Sequence, residues 1–269
     1  MRIIIVSSDK DLTTTRKAIK YYSEFILYKD IVVISPSQSS FFTDDFISVY
    51  PQVTLVRDED VNGYHAVKEF LTSRSSNIYS VGRSCGWYLQ QFIKLSYVHE
   101  SPENVFLCDG DTIFSKALIG KIIEDPFLIT TREDVRRYTA LGVLLEMPIQ
   151  KSSYIANGGF IDTGLIRQYI ESPVSFFKRS LDLIFLNERV DFSEYQILGS
   201  INATKYRSNP IRIFRRWDLL FTNEDWEKSS ASLEAALERY DAIAWEVSHN
   251  RGFIKRAGAK LLHFMGSAW

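Results

Sequence analysis

The first third of the chain is punctuated by short runs that are nearly continuously apolar and do not alternate. Arg2-Ile-Ile-Ile-Val-Ser7, Ile31-Val-Val-Ile34 and Val53-Thr-Leu-Val56 are of this kind. An unbroken apolar run is what a strand needs when both of its faces are covered, as in a parallel sheet. Between the first two runs, Leu12 to Tyr28 sets Ala18, Ile19, Tyr22, Phe25 and Ile26 at helical spacing. Ser8-Asp9-Lys10-Asp11 reads as the turn into that helix, with Asp11 or Thr13 as its cap. Strand, helix and strand at this spacing predict a right-handed βαβ unit and an α/β fold.

Further along, Gly86 opens a helix that carries Tyr88, Phe92 and Leu95 at core spacing and Gln90 and Lys94 four residues apart. Val105 to Phe114 is a strand region interrupted by two aspartates. Lys116 to Glu124 reads as a short helix, Phe127 to Thr131 as a strand, and Glu133 to Leu145 as a helix. Asn157-Gly-Gly-Phe-Ile-Asp162 reads as a tight turn or as a place where a ligand approaches the backbone closely. Pro173 begins a strongly apolar helix. Asp191 or Ser193 caps another, which puts Glu194 in its first turn, where the helix dipole favours a carboxylate. Arg212 to Trp217 alternates in part like a strand, Glu234 to Tyr240 is helical, and Ala242 to Val247 is a strand. Internal repeats, low-complexity stretches and long linkers are lacking, so residues 1–269 are expected to form a single domain.

Composition narrows the partners. A net charge of −1 argues against nucleic acid, whose phosphate backbone calls for a basic imbalance. Cys85 and Cys108 are the only cysteines, too few for a zinc cluster and no disulfide framework. The opening apolar run is far too short for a signal sequence, and no run is long enough to cross a membrane, so a cytoplasmic location is expected. Peripheral contact with the inner membrane face through Phe and Trp side chains stays open, although no amphipathic basic helix compels it. Aromatic residues make up 14%, which suits either a heavy core or surfaces that stack on sugar rings or a base.

The candidate chemistry centres on Val105-Phe-Leu-Cys-Asp-Gly-Asp-Thr-Ile-Phe114. Two carboxylates, Asp109 and Asp111, flank Gly110 where an apolar strand ends. Hard cations such as Mg²⁺ and Mn²⁺ prefer oxygen ligands and share them between protein carboxylates and substrate phosphates. Asp109 and Asp111 are therefore expected to anchor a metal–diphosphate complex. Ligands of open parallel sheets sit beyond the carboxyl ends of the strands. Ser7, Ser8, Asp9, Arg57 and Asp58 fall there and are candidate nucleotide contacts. Gln90 and Lys94 are candidates for a phosphate clamp.

These blocks resemble, in order along the chain, the GT-A glycosyltransferases, in particular the glycogenin-like and bacterial lipopolysaccharide galactosyltransferase group. The blocks are the βαβ start, the Asp-x-Asp strand end, Asn157-Gly-Gly-Phe and the terminal His263-Phe-Met-Gly266. Gly86-Trp-Tyr-Leu-Gln-Gln-Phe-Ile-Lys-Leu95 and Phe192-Ser-Glu-Tyr195 look still more like a bacterial GT-A-type family found with surface-polysaccharide genes. The resemblance implies a GT-A, Rossmann-like fold: a central mixed, mostly parallel sheet flanked by helices. Residues 1 to about 114 would be a nucleotide-binding half, and about 115–269 an acceptor half with a C-terminal tail. It implies Mn²⁺ or Mg²⁺ as cofactor, a nucleotide-diphosphate sugar (UDP by resemblance) as donor, and a glycan or lipid-linked glycan as acceptor. Asp109 and Asp111 would meet the metal, and His263 would be a third ligand. Asn157, Gly158 and Gly110 would lie against the donor. Glu194, some eighty residues beyond the metal motif, is the candidate base for the acceptor hydroxyl. The family's Lys-Pro in the tail is replaced here by Ser267-Ala268, and Ser-Glu-Tyr stands in place of Asp-Gln-Asp. Inversion and retention of configuration both stay open.

Three other readings compete. Asp109-Gly-Asp-Thr-Ile also matches the start of haloacid-dehalogenase-type phosphatases, whose first aspartate is a nucleophile. Several strands precede it here, however, and no convincing later Asp-Asp pair follows. A nucleotidyltransferase would usually have a Gly-rich loop after its first strand, and Ser7-Ser-Asp-Lys10 has no glycine. The non-enzymatic reading is a GT-A-like subunit that only binds glycan.

Overall fold

A computed structural model describes residues 1–27, 30–80, 83–148, 150–187, 189–215 and 230–244. The first elements are β1 (Arg2–Val6), α1 (Leu12–Tyr22), β2 (Ile31–Ser35), α2 (Asp44–Val49), β3 (Thr54–Arg57), α3 (Tyr64–Ser73), α4 (Ser75–Ser80) and α5 (Cys85–Glu100). Then come β4 (Val105–Asp109), β5 (Thr112–Phe114), α6 (Lys116–Glu124), β6 (Leu128–Thr130), α7 (Arg136–Leu144), β7 (Gly158–Ile161), α8 (Thr163–Tyr169) and α9 (Pro173–Leu186). The last are α10 (Glu194–Asn202), β8 (Ser208–Pro210), β9 (Ile213–Arg215), α11 (Ser230–Arg239) and β10 (Ala242–Ala244).

The apolar runs pair as a five-stranded sheet in the order β3-β2-β1-β4-β7. All neighbours are parallel except β7, which runs antiparallel to β4. The fold is therefore α/β, with a mixed, mostly parallel central sheet. Strands β1, β2, β4 and β7 bury both faces, while the edge strand β3 is only partly covered. Ile3, Ile5, Val33, Phe106 and Cys108 pack with Ile19, Tyr22 and Ile119 on one side. Ile4, Val6, Val32 and Leu107 pack with Val67, Phe92, Leu95, Phe177 and Leu198 on the other. Each such aliphatic side chain taken from water contributes about 1.5–3 kcal/mol. The aromatic residues serve mainly this core: Tyr22, Phe41, Phe46, Tyr88, Phe92, Phe106, Phe114, Phe177 and Phe192 are fully buried.

The fold departs from the sequence reading at three points. Helix α1 stops at Tyr22 and does not run on to Tyr28, because the Ser23 hydroxyl donates to the Lys20 carbonyl at 2.7 Å and the chain turns. The strand region 105–114, interrupted at its aspartates as read, does not stay in one sheet: β5 leaves to join a second, three-stranded sheet, β5-β10-β9. Asn157-Gly-Gly-Phe is not a turn. Its glycines begin β7, where Gly158 stands opposite Cys108 and Gly159 opposite Leu107. Among the described residues, no helix is long and apolar enough to cross a membrane.

The sheet places its own demand on Gly158. A Cβ there would come within 2.5 Å of the Phe114 ring and 2.8 Å of the Leu107 carbonyl oxygen. The backbone oxygen cannot yield without disturbing the β4–β7 ladder. Gly158→Ala is expected to cost about 1–3 kcal/mol, a fall of several degrees in melting temperature for a chain of this size. A thermal melt of the variant that superimposes on that of the wild type would contradict this packing.

Candidate functional site

The order of the sheet defines where the site lies. From β1 the chain steps outward through β2 and β3, then returns to lay β4 on the other side of β1. Adjacent strands whose connections leave in opposite directions open a crevice at their carboxyl ends, which is where open α/β sheets bind ligands. Here the crevice is between Val6, which ends β1, and Asp109, which ends β4 and is its register partner.

Gly110 brings the two strand ends together. Its N–H donates to the Val6 carbonyl at 2.9 Å, and its own carbonyl accepts from the Thr15 hydroxyl at 3.1 Å. A Cβ on residue 110 would lie 2.3 Å from the Ser7 hydroxyl oxygen and 3.0 Å from the Ser7 Cα. Only glycine allows this approach, and it sets Asp109 and Asp111 on either side of the end of β1. Ser7 is buried and shares a 2.7 Å hydrogen bond with Thr15, so it supports the Asp-Gly-Asp turn from beneath.

Asp109 is held by buried groups. Lys94, 2% exposed on α5, bridges Asp109 Oδ1 and Glu194 Oε1, the latter at 2.7 Å. The Tyr195 hydroxyl also donates to Asp109 Oδ1, at 3.0 Å, and the Lys94 ammonium lies 4.6 Å from the centre of the Tyr195 ring. Burial alone would lower the Lys94 pKa, but Asp109 and Glu194 outweigh it and hold it above the ordinary lysine value. Burial pushes the Glu194 carboxyl upward, against the pull of Lys94. Both side chains that touch Glu194, Lys94 and Gln91, offer N–H donors once the Gln91 amide is turned nitrogen-inward. Glu194 is thus met by N–H donors from α5. Helix α10 presents it at its first position because the Ser193 hydroxyl caps the helix, accepting from the Gln196 N–H at 3.3 Å.

On the outer side of the turn the balance of charge is different. Asp111 accepts from the Thr112 hydroxyl at 3.0 Å and makes no ion pair among the described residues. Burial, then repulsion from Asp109 and Asp11, pushes its pKa up to about 7. Burial likewise pushes Asp11 up to about 6; Lys10 opposes this and Asp109 adds to it. Asp11 makes no side-chain capping bond to α1, so its carboxylate belongs to this acidic group and does not serve as the cap. Three carboxylates thus converge on the crevice with too little positive charge to balance them.

The remaining residues singled out by sequence lie at varying distances from that group. Asp9 Oδ1 accepts from the Ser39 hydroxyl at 2.6 Å and the Ser40 N–H at 2.8 Å, which ties the β1 loop to the loop after β2. Ser8 faces Asp11 at 3.5 Å. Arg57 is exposed, with its guanidinium 5.5 Å from the centre of the Phe42 ring. Asn157 adopts a left-handed conformation (φ 55°), and its carbonyl accepts from the Asp109 N–H at 2.9 Å, so it braces the motif from the β7 side. At Gly158, Phe114 fills the space a side chain would need. Gln90 is half-buried, and it is its neighbour Gln91 that reaches Glu194. Glu194 is 1% exposed and is paired with Lys94. Lys94 itself is enclosed by the two carboxylates and does not reach outward. His263 lies outside the described residues. Among the described residues, no group of three or more His, Cys, Asp and Glu side chains is arranged to hold a metal ion by itself. Asp109 and Asp111 could supply two oxygen ligands, leaving the others to water or substrate. That is how Mg²⁺ is usually held beside phosphates.

Sequence reasoning missed three residues: Asp11, Gln91 and Tyr195. The spacing of Gln91 and Lys94, three residues apart, puts them on one helix face as well as the Gln90 spacing does. For Tyr195, an aromatic residue following Glu194 gives no sequence sign of a hydroxyl aimed at a carboxylate 86 positions away.

No protein-family model and no curated protein sequence matches the chain. Solved structures are similar to it. Mouse xyloside xylosyltransferase 1 in its apo form has a TM-score of 0.46 and 9% identity, covering 91% of this chain and 97% of that one. The galactosyltransferase LgtC, in complex with donor and acceptor sugar analogues, has a TM-score of 0.49 and 12% identity, covering 92% and 88%. The glycosyltransferase GlyE of Streptococcus pneumoniae TIGR4 has a TM-score of 0.46 and 11% identity, covering 92% of this chain and 55% of that one. All three are glycosyltransferases.

The surplus of carboxylates has a consequence for stability. Asp11 and Asp111 keep their protons to about pH 6 and 7 in the folded chain, whereas unfolded aspartates lose them near pH 4. Between those limits the folded state binds more protons, so this contribution is full below about pH 4 and is lost as pH rises to about 7. Asp111→Asn is therefore expected to be more stable than wild type at pH 8, with the advantage shrinking toward pH 5. Urea unfolding of both proteins at several pH values measures this. An advantage that does not vary with pH would contradict it.

Proposed function

We propose that this chain is a glycosyltransferase that depends on a divalent cation. It transfers a sugar from a nucleotide-diphosphate donor, with uridine as the base, to a bacterial surface glycan or lipid-linked acceptor. The observation that carries this reading is the unbalanced carboxylate group at the switch point of the sheet. Burial and mutual repulsion push Asp111 and Asp11 toward neutrality, only partly opposed by Lys10, beside an Asp109 fixed in place by Lys94 and Tyr195. A binding crevice with a built-in deficit of positive charge suits a cation that arrives with, or is shared by, an anionic ligand.

In this reading Asp109 and Asp111 hold Mn²⁺ or Mg²⁺, with His263 of the tail as a third ligand by resemblance. The cation, when bound, neutralises charge on the departing diphosphate as a Lewis acid. The chain itself supplies geometry. Lys94 and Tyr195 both fasten Oδ1 of Asp109, which fixes the orientation of its carboxylate. Ser8, Asp9 and Arg57 border the nucleotide side, with Asp9 already organising the 39–40 loop. Residues 1–114 form the nucleotide half. Asn157, Gly158 and the segment before α10 belong to the acceptor half, where an acceptor hydroxyl must be held in line with the sugar carbon. Glu194, enclosed and paired with Lys94, serves this site as a positioning residue and not as the group that takes the acceptor proton.

A panel of nucleoside diphosphates with and without Mn²⁺, read by thermal shift, tests the reading. At a hundredfold excess over its dissociation constant, a ligand stabilises by about 2.7 kcal/mol, or roughly 5–10 °C for a chain of this size. Uridine diphosphate with Mn²⁺ is expected to give such a shift, and Asp109→Asn and Asp111→Asn to lose its Mn²⁺-dependent part. No shift with any nucleotide, or unchanged Mn²⁺ dependence in both variants, would overturn the proposal.

A further inference from the structure

Lys94 brings one positive charge to two carboxylates, and neither has another cationic partner among the described residues. It is 2% exposed and Glu194 is 1% exposed, so neither is screened by water. Asp109 is partly open, its side chain 21% exposed, and stands between this buried pair and the crevice. If Lys94 met Asp109 alone, the two would form a closed, neutral pair, and Asp109 would have little attraction left for anything in the crevice. Glu194 prevents this. It holds the same ammonium at 2.7 Å, and its other neighbour, Gln91, is uncharged.

We infer that Glu194 is the residue that sets the cation affinity of the site: by sharing Lys94, it leaves Asp109 its negative charge. This deepens the glycosyltransferase reading and rests on it. Asp109 and Glu194 against the single ammonium of Lys94 leave one net negative charge beside Asp111 and Asp11. Removing the Glu194 charge leaves none at that pair. Tyr195 has a different part. Its hydroxyl fastens Asp109 Oδ1 at 3.0 Å without altering the charge, so it orients the carboxylate and does not tune it. This arrangement explains why an acidic residue that touches no crevice is placed at the first position of a wholly buried helix, aimed at a lysine 100 positions away.

The test is calorimetric titration of Mn²⁺, with no nucleotide, into the full chain and four forms of it. Glu194→Gln keeps the shape of the side chain and an oxygen for Lys94, and is expected to bind Mn²⁺ at least about tenfold more weakly, since the Lys94 ammonium is then left to Asp109 alone in a poorly screened site. Lys94→Met combined with Glu194→Gln restores the charge balance and is expected to return affinity to within about threefold of wild type. Tyr195→Phe, which changes no charge but releases one of the two groups that orient Asp109, is expected to weaken binding less than Glu194→Gln does. Asp109→Asn is expected to abolish binding. A merely structural role for Glu194 would leave the double variant as weak as the single one or weaker, and that result overturns the inference. So does a Glu194→Gln protein that binds as wild type does. If Glu194→Gln alone does not fold, the double variant decides: affinity near that of wild type supports charge sharing, and loss of binding overturns it. A wild-type chain that takes up no Mn²⁺ overturns the cation reading itself.

Discussion

A charge enclosed in a protein interior must meet its opposite, because the cost of an unpaired one is several kcal/mol. The Lys94 ammonium imposes that constraint here. It comes from α5, reaches Asp109 at the end of β4 and Glu194 at the start of α10, and lies against the Tyr195 ring. Three elements distant in sequence are thereby required to meet at one point. The apolar core permits many small adjustments, whereas an ion pair with this geometry permits few. The position of the Asp-Gly-Asp turn relative to both helices follows from it.

The second constraint is the lack of a side chain at residue 110. Ser7 and Val6 press against Gly110, so the ends of β1 and β4 close to within hydrogen-bonding distance and leave a carboxylate on either side. Asp109 turns toward the buried ammonium, while Asp111 and Asp11 gather on the outer side, where Asp11 meets only the exposed Lys10, 3.8 Å away. The protein thus concentrates acidic charge where the connections of the sheet diverge and neutralises only part of it. Folding alone gains nothing from such an arrangement. Proteins keep a local conflict of this kind where binding resolves it.

Much of the frame is legible in the sequence. Unbroken apolar runs give the parallel strands, because a strand buried on both faces has no polar side to alternate with. The short helix at Lys116–Glu124 is readable to the residue, since its apolar stripe is clean and a serine caps it. The helix after Ser193 is readable for the same reason. What the sequence hides is long-range pairing. Asn157-Gly-Gly-Phe has the composition of a turn, and becomes a strand only because β4 offers it an edge and Phe114 needs the space. Asp11 has the look of a helix cap, and only its burial beside the Asp-Gly-Asp turn makes it part of the acidic group. Lys94 reads as an outward clamp because nothing local shows that two carboxylates, one of them 100 positions away, enclose it. Glu194 reads as an accessible acid for the same reason. Local pattern fixes which residues face inward; which charges meet there is decided by the fold as a whole.

The central claim is that the carboxylates at the end of β4 hold a divalent ion beside a nucleotide diphosphate. It is tested most directly by crystals of the chain grown with Mn²⁺ and uridine diphosphate, with data collected for the anomalous signal of manganese. The account predicts a single strong peak within coordination distance, about 2.0–2.3 Å, of oxygens of both Asp109 and Asp111, with diphosphate oxygens completing the shell. A nucleotide bound in the crevice with no manganese peak, or a peak that touches neither aspartate, would contradict it.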